Sequence, residues 1–442
     1  MDLGWVSFSR SDTNKMLGLL DALRTPGAVD ELGIGIIRDG FADMFFPGTS
    51  TVQTRAKYFL IVPFLLKEMC EDANSSKDKI REMQIECAQY LLKNSRNNAL
   101  ENNKDNFEDA GGIIGSRVMS DNWLNKTMNY KKNHWLARTP AEIYWSGLRE
   151  YKIFNGYLMN RDGISFPGYI KESLQLKKEL DENKKREKAN NRRKQKDDTE
   201  NEILSLWDFT YEKNDKIKKI ENIYRPNWCS DELRIELTTS EAEYLYYKVI
   251  ESKKQSLLAY ILENEIDVLS SEGNYISFEE LTKECSNWKY GNELLELANN
   301  FNELVYRLRI RYNIELFKDN KEFKFPQEEW SKISDIPLRI NEQQIDQIFS
   351  VLHIGKRYDY LKFFLKESIN LLKIPTQSNL EKLEEKLLNH EIKIKNGTLR
   401  SKLYNKDTVP PTDDSLIGGG RLDYRFHSAA RIICDIRNPR GE

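Results

Sequence analysis

Asp39 and Asp43 stand four residues apart, a spacing that puts two carboxylates on one face of a helix. Such a pair could hold Mg²⁺ and so serve a metal-dependent nuclease. Arg38 and Arg55 lie nearby in sequence and suit ordinary ion pairing equally well. Just downstream, the run Gly48, Thr49, Ser50, Thr51 reads as a turn at a helix start. Orphan backbone N–H groups at such a place favour an anion. Gln53, Arg55 and Lys57 would add polar contacts on the first turns. With Arg38 and the three hydroxyl residues they form a candidate site for an anion or nucleic acid. The competing reading is simple capping by Ser50 or Thr51.

No other constellation is as dense. The four histidines, His134, His353, His390 and His427, do not pair at metal-ligand spacing, and no cysteine stands at a finger-like interval from one. No signature of a serine or cysteine nucleophile appears. Gly33 with Gly35, and the cluster Gly111, Gly112, Gly115, lack the preceding strand and the lysine of a phosphate loop, so turns or close helix packing are expected there. Glu391, Ile392 and Lys393 match the E-x-K fragment of one nuclease class. Residues 380–390 read as helix where that class needs a strand, which makes the match a coincidence of a lysine-rich chain. The basic stretch 184–196 could track a nucleic-acid backbone, but Glu182, Glu187, Asp197 and Asp198 dilute it and favour a solvated helix. Arg307 and Arg311 share no stripe with Arg309. Trp123, Trp135, Tyr144, Trp145 and Tyr151 fit core packing. No cofactor is expected.

The elements that must position these residues are mostly helices. Ser9 and Asp12 open one that carries Met16, Leu19, Leu20 and Leu23, and Pro26 with Gly27 stops it. Ile37, Phe41, Met44 and Phe45 predict a second, ended by Pro47 and Gly48. Ser50 and Gln53 suggest a capping box for a third, whose apolar face is Tyr58, Ile61, Val62 and Leu65, with a kink at Pro63. Thr139, Pro140 and Glu142 give the clearest start: a cap, proline at the first position and glutamate at the third. Further on, Phe301, Leu304, Val305, Leu308 and Tyr312 fall on one helical face. Residues 380–390 form another helix, and Ala429, Ile433 and Ile436 face inward from a closing one. Ile392 and Ile394 alternate with lysines before Asn396 and Gly397, which allows a small β-hairpin.

The chain has 442 residues, 39% hydrophobic and 31% charged, a globular balance with room for two or three domains. The net charge of −2 draws the whole molecule toward neither nucleic acid nor an anionic membrane. Five scattered cysteines fit a reducing compartment. The N-terminus has no secretory pattern, and the strongest apolar run, 58–66, is too short for the roughly 20 residues that span a bilayer. A cytoplasmic protein with no membrane partner is expected.

Several runs resemble a bacterial family known only as a domain of unknown function. They are Gly4, Trp5, Val6; Asp30, Glu31, Leu32, Gly33, Ile34, Gly35; Ile37, Arg38, Asp39; Phe41, Ala42, Asp43; Phe46, Pro47, Gly48, Thr49, Ser50, Thr51; and Gln53, Thr54, Arg55. Residues 140–145, 240–245 and 422–425 share the resemblance. It implies membership of anti-phage islands beside helicase- and nuclease-like genes. The partners would be other proteins of the same defence operon, of helicase or nuclease type, with DNA a further candidate.

These observations predict a mainly α chain of two helical domains, 1–170 and 216–442. A charged helical or flexible segment, 171–215, would join them, with a small β-hairpin near the C-terminus. The expected role is a non-enzymatic defence component that binds a partner protein, nucleic acid or both. The alternatives are a metal-dependent nuclease using Asp39 and Asp43, and a purely structural scaffold subunit.

Overall fold

In chain order the elements are α1 (Gly35–Phe45), α2 (Tyr58–Glu71), α3 (Lys77–Glu101), α4 (Pro140–Glu150), α5 (Phe166–Ala189), β1 (Thr210–Lys213), β2 (Lys216–Lys219), α6 (Thr239–Lys253), α7 (Leu257–Glu263), α8 (Phe278–Glu284), α9 (Asn292–Leu316), α10 (Phe325–Ile333), α11 (Glu342–Val351), α12 (Asp359–Lys373), α13 (Gln377–Ile394) and α14 (Phe426–Arg437). This computed structural model describes residues 30–71, 77–101, 111–116, 136–155, 164–189, 207–220, 233–320, 323–406, 409 and 415–440. The fold is mainly helical, with one two-stranded antiparallel sheet among the described residues. The helix expected around Met16 and Leu23, together with Trp123, Trp135 and His134, lies outside them. So do residues 190–196 of the basic stretch; 184–189 are the end of α5.

The chain forms two compact units, each discontinuous in sequence: residues 1–42 with 277–424, and residues 43–276 with 425–442. Residues 171–215 fall within the second. Helix α1 starts in the first unit, and its last three residues belong to the second.

The first unit is arranged along the 25-residue α9. Its predicted face of Phe301, Leu304, Val305, Leu308 and Tyr312 is buried, and Ile310 packs elsewhere against Ile333 and Leu416. A helix covered on several sides must bond its own polar residues internally. Asn302 accepts from the Leu422 N–H and donates to the Leu422 carbonyl, at 2.6 and 2.9 Å. Asn313 does the same with Ile417, at 2.8 and 3.0 Å. Eleven residues make three helical turns, so the two amides fasten the 415–424 segment at two heights on one side of α9. Asp30 accepts from the N–H groups of Ile34 and Gly35 at the head of α1. A Cβ at Gly35 would meet that carboxylate at 2.8 Å. Gly33, at φ +67°, turns the chain against Ile394. The glycine pair thus serves capping and close packing.

The structure corrects the C-terminal hairpin: residues 392–394 complete α13. Four alternating residues are too few to outweigh a helix already running from Gln377, and Asn396 and Gly397, both at positive φ, end that helix instead. The E-x-K residues separate. Lys393 lies 5.1 Å from the Tyr360 ring centre, whereas Glu391 is buried. Glu391 accepts from the Tyr312 hydroxyl (2.8 Å), the Ser401 hydroxyl (2.7 Å), the Leu403 N–H (3.0 Å) and the Lys395 ammonium (2.5 Å). Lys395 and Lys402 also reach Glu31. Immediately before Glu391, His390 stacks on Phe364 with ring centres 3.8 Å apart and donates to the Leu32 carbonyl.

The second unit centres on α2, whose apolar run from Tyr58 to Leu66 is buried throughout, with Pro63 inside it supplying no N–H to the helix bonding. It packs against α3, α4 and α5. Helix α4 begins as predicted, with the Thr139 N–H donating to the Glu142 carboxylate at 2.7 Å. Tyr144, Trp145 and Tyr151 are core residues. Trp145, Phe154, Tyr169 and Trp207 form one aromatic cluster, with ring centres 4.8 to 6.4 Å apart. The sheet sits at 210–219, in a stretch whose charge suggested a linker. Among the described residues no helix is long and apolar enough to cross a membrane.

Burial alone would raise the Glu391 carboxyl, but the bonds from Lys395, Ser401 and Leu403 hold it below 4.5. Burial pulls the His390 imidazole below 6.5. The folded first unit therefore favours a carboxylate and a neutral imidazole. The imidazole's share of stability is lost as pH falls below 6.5. The carboxylate's share is complete above 4.5 and is lost as pH falls through its lower folded value. Thermal melts from pH 8 to pH 3, followed by circular dichroism, are expected to decline in those two windows. Glu391→Gln should cost about 3 kcal/mol at neutral pH and flatten the lower window. A variant curve parallel to wild type would contradict the assignment.

Candidate functional site

Of the residues predicted to bind an anion, Arg38 stands on α1; Thr49, Ser50, Thr51, Gln53, Arg55 and Lys57 lie at the entry to α2, but the helix does not start at Ser50. It starts at Tyr58, and Gly48 to Thr51 form a turn seven residues earlier, with the Gln53 N–H donating to the Ser50 carbonyl. The Gln53 side chain accepts from the Ser50 N–H and donates to the Gly48 carbonyl. One half of the expected box therefore exists as a turn device. Gly48, at φ +80°, brings the chain so near Tyr151 that a Cβ would stand 2.9 Å from the ring. Thr49 donates its hydroxyl to the Phe46 carbonyl at 2.6 Å. Thr51 is exposed.

Beyond the turn the backbone N–H groups do find oxygen atoms, all internal. Those of Thr54 and Arg55 donate to the Tyr144 hydroxyl at 2.9 and 3.0 Å, and that hydroxyl donates to the Arg55 carbonyl at 2.7 Å. The Ala56 N–H donates to Asp435 Oδ2 at 2.7 Å. The same carboxylate receives the Arg55 guanidinium through Nε, at 2.9 and 3.0 Å, and through Nη2 at 2.9 Å. Arg55 Nη1 donates to the Gly111 carbonyl, and the Gly112 carbonyl accepts from Thr54. The glycine cluster, with Gly111, Gly112 and Gly115 all at positive φ, is thus a turn moulded to Arg55. Asp435 holds the position ahead of α2 where the helix dipole and an arginine together favour an anion. Burial pushes its carboxyl up, against the opposing pull of Arg55.

Lys57 points into the core. Its Nζ lies 2.5 Å from Glu241 Oε2 and 3.3 Å from the Glu236 carbonyl, with the side chain 2% exposed. Burial draws its ammonium below 10.5 and Glu241 opposes that pull. Glu241 also accepts from the Thr238 N–H at 2.8 Å, in the capping box that opens α6.

The paired acids fare similarly. Asp39, in the first unit, lies 3.1 Å from Arg38 Nε, both residues half-buried. Asp43, in the second, takes Arg425 Nη1 at 2.5 Å, and that nitrogen also donates to the Thr49 carbonyl. Among the described residues no group of three or more His, Cys, Asp or Glu side chains is arranged to hold a metal ion. Burial pushes the Cys285 thiol up to about 12, far from a reactive thiolate. A cavity of about 260 Å³ in the second unit is lined by Asp78, Arg81, Gln84, Thr139, Glu142 and Phe166. Gln84 accepts from the Ala141 N–H and Glu142 from Thr139, so both are occupied in opening α4.

Sequence reasoning missed Tyr144, Glu241, Arg425 and Asp435 as partners of this block. The first three lie in the separate runs 140–145, 240–245 and 422–425, and in space all three bond the 43–57 stretch. Asp435 carried a weaker signal, a single acid between Ile433 and Ile436 in the closing helix.

Glu241→Gln should leave an ammonium without its counterion and cost about 3 to 5 kcal/mol. Adding Lys57→Met should recover most of that loss, because no charge then remains to be desolvated. Urea unfolding midpoints of the three proteins decide it; a double variant no more stable than Glu241→Gln would contradict the pairing.

Residues 1–98 match the model of a family described as a family of unknown function (DUF6361). No curated protein matches the chain. No solved structure matches it.

Proposed function

We propose that this protein is a non-enzymatic component of a bacterial anti-phage defence system that binds a partner protein, nucleic acid or both. One observation carries the non-enzymatic part. The cations best placed to do chemistry at 38–57 are each matched to an acid of the same chain: Arg38 to Asp39, Arg55 to Asp435 and Lys57 to Glu241. Groups bonded this way shape a scaffold, and recognition then falls to the molecule's exposed surface. The setting among helicase- and nuclease-type partners follows from the resemblance of the N-terminal runs.

The test joins two measurements. The full chain, expressed with its operon neighbours, is expected to co-purify with at least one of them or to bind DNA with an affinity that falls as salt rises. With Mg²⁺ or Mn²⁺ it is expected to leave plasmid DNA intact. Cleavage abolished by Asp39→Ala or Asp43→Ala would replace this reading with the nuclease. Neither a partner nor salt-sensitive binding would remove it.

A further inference from the structure

We infer that the turn between α11 and α12, with the end of α13, forms a surface for single-stranded nucleic acid, Lys356, Arg357 and Lys393 meeting phosphates and Tyr358 and Tyr360 meeting bases. The inference rests on the nucleic-acid arm of the proposed function and gives it a location in the first unit.

The surface starts from a short connection. Helix α11 ends at Val351, and a single 3₁₀ turn, Lys356–Tyr358, leads into α12. The Ile354 N–H donates to the Phe349 carbonyl and the Tyr358 N–H to the Gly355 carbonyl, at 2.9 and 3.0 Å, so the turn is fixed by its own backbone. Helix α12 then runs beside α13, with Phe364 stacked on His390. Tyr360 stands one turn before Phe364 on α12, and Lys393 stands about one turn after His390 on α13.

Contacts, not sequence order, put these side chains on one face. The Arg357 guanidinium lies 4.7 Å from the Tyr358 ring centre. The Tyr358 and Tyr360 ring centres are 6.5 Å apart, and the Lys393 ammonium lies 5.1 Å from the Tyr360 ring centre. A cation, two rings and a second cation therefore form an unbroken row, which Lys356 adjoins on the turn. Lys356, Arg357 and Lys393 are exposed, and both tyrosines are half-buried.

The row stays positive once its acids are counted. None of the three cations makes an ion pair among the described residues. The segment 392–406 contains no acid, and Lys395, Lys402 and Lys406 within it are answered by Glu31 and Glu315 from elsewhere. Two acids approach the row. Asp359 stands about 100° around α12 from Tyr360, on the side of Lys362 and Lys366, which meet Asp346 there. Asp30, whose charge reaches Tyr360 and His390, is bonded through both oxygens to the N–H groups that open α1. Counted at full charge, the two acids still leave the three cations in excess.

The occupant follows from the alternation. Cations interleaved with aromatic faces match a chain that interleaves phosphates with bases. A guanidinium lying over a ring can itself take a base on its outer plane. An acidic peptide would use the cations and leave the rings idle. A duplex keeps its bases stacked on one another, out of reach of a tyrosine ring.

Fluorescence anisotropy with labelled single-stranded DNA and RNA of one mixed sequence, and with the matching duplexes, tests the inference on the full chain across a salt series. Both single strands should bind wild type more tightly than either duplex, since stacking needs no 2′-hydroxyl. Arg357→Ala/Lys393→Ala should melt like wild type, because both side chains are exposed. It should bind the single strands roughly ten-fold more weakly, with the slope of log affinity against log salt reduced by about 1.4. Tyr358→Ala should weaken binding roughly ten-fold at unchanged slope, and Tyr358→Phe should bind like wild type. Single-strand binding that both alanine variants leave intact would overturn the surface and leave nucleic-acid binding standing. No binding of any of the four nucleic acids would remove both. Duplexes bound as tightly as single strands, or a labelled strand displaced equally well by polyglutamate, would overturn the role given to the rings.

Discussion

An ammonium group without water is the constraint on which the second unit depends. Lys57 enters the core immediately before the apolar run of α2, where a lone charge would be expelled or neutralised. Glu241 makes its position tolerable, and Glu241 is itself fixed by the cap that begins α6. The pair ties two helix starts that lie far apart in the chain. A buried pair of this kind adds little net stability over an apolar one, but it penalises any other arrangement heavily. It disfavours any arrangement of α2 and α6 that would leave Lys57 or Glu241 buried without the other.

The same logic extends along the 43–57 stretch. Arg425 meets Asp43 and the Thr49 carbonyl, Tyr144 meets the backbone at Thr54 and Arg55, and Asp435 meets Arg55 and Ala56. A block whose composition suggests ligand recognition instead recognises the rest of its own unit. The chemistry expected of it is present, since an anion does sit ahead of α2 against an arginine. That anion is supplied by the closing helix.

Much of the helical pattern was legible because it is local. The spacing of Ile37, Phe41 and Phe45, the cap at Thr139, the apolar face of α9 and the inward residues of α14 each needed only neighbours within a few turns. The hairpin was misplaced because Ile392 and Ile394 alternate in a segment already committed to a helix. The actual strands at 210–219 carry one buried residue, Tyr211, and otherwise look like solvated chain. The candidate site was half legible. Residue types and the favoured position for an anion could be read at 48–57, but whether the counter-charge comes from outside or inside depends on contacts such as Arg55 with Asp435, 380 residues apart. No periodicity reports such a pairing.

The interleaving of the two units has a consequence for synthesis. A ribosome delivers the chain from the N-terminus, and units that are continuous in sequence can close as they emerge. Here the first 42 residues await strands of sequence from 277 onward, and residues 43–276 await the closing helix with Asp435. Until that last segment leaves the exit tunnel, Arg55 has no carboxylate and the 415–424 segment has only just reached Asn302 and Asn313. The helices of 43–276 can close on one another as they emerge, α2 on α3, α4 and α5, but Arg55 keeps an unanswered charge inside that early assembly until α14 arrives, and residues 30–42 wait for α9 and the 415–424 segment.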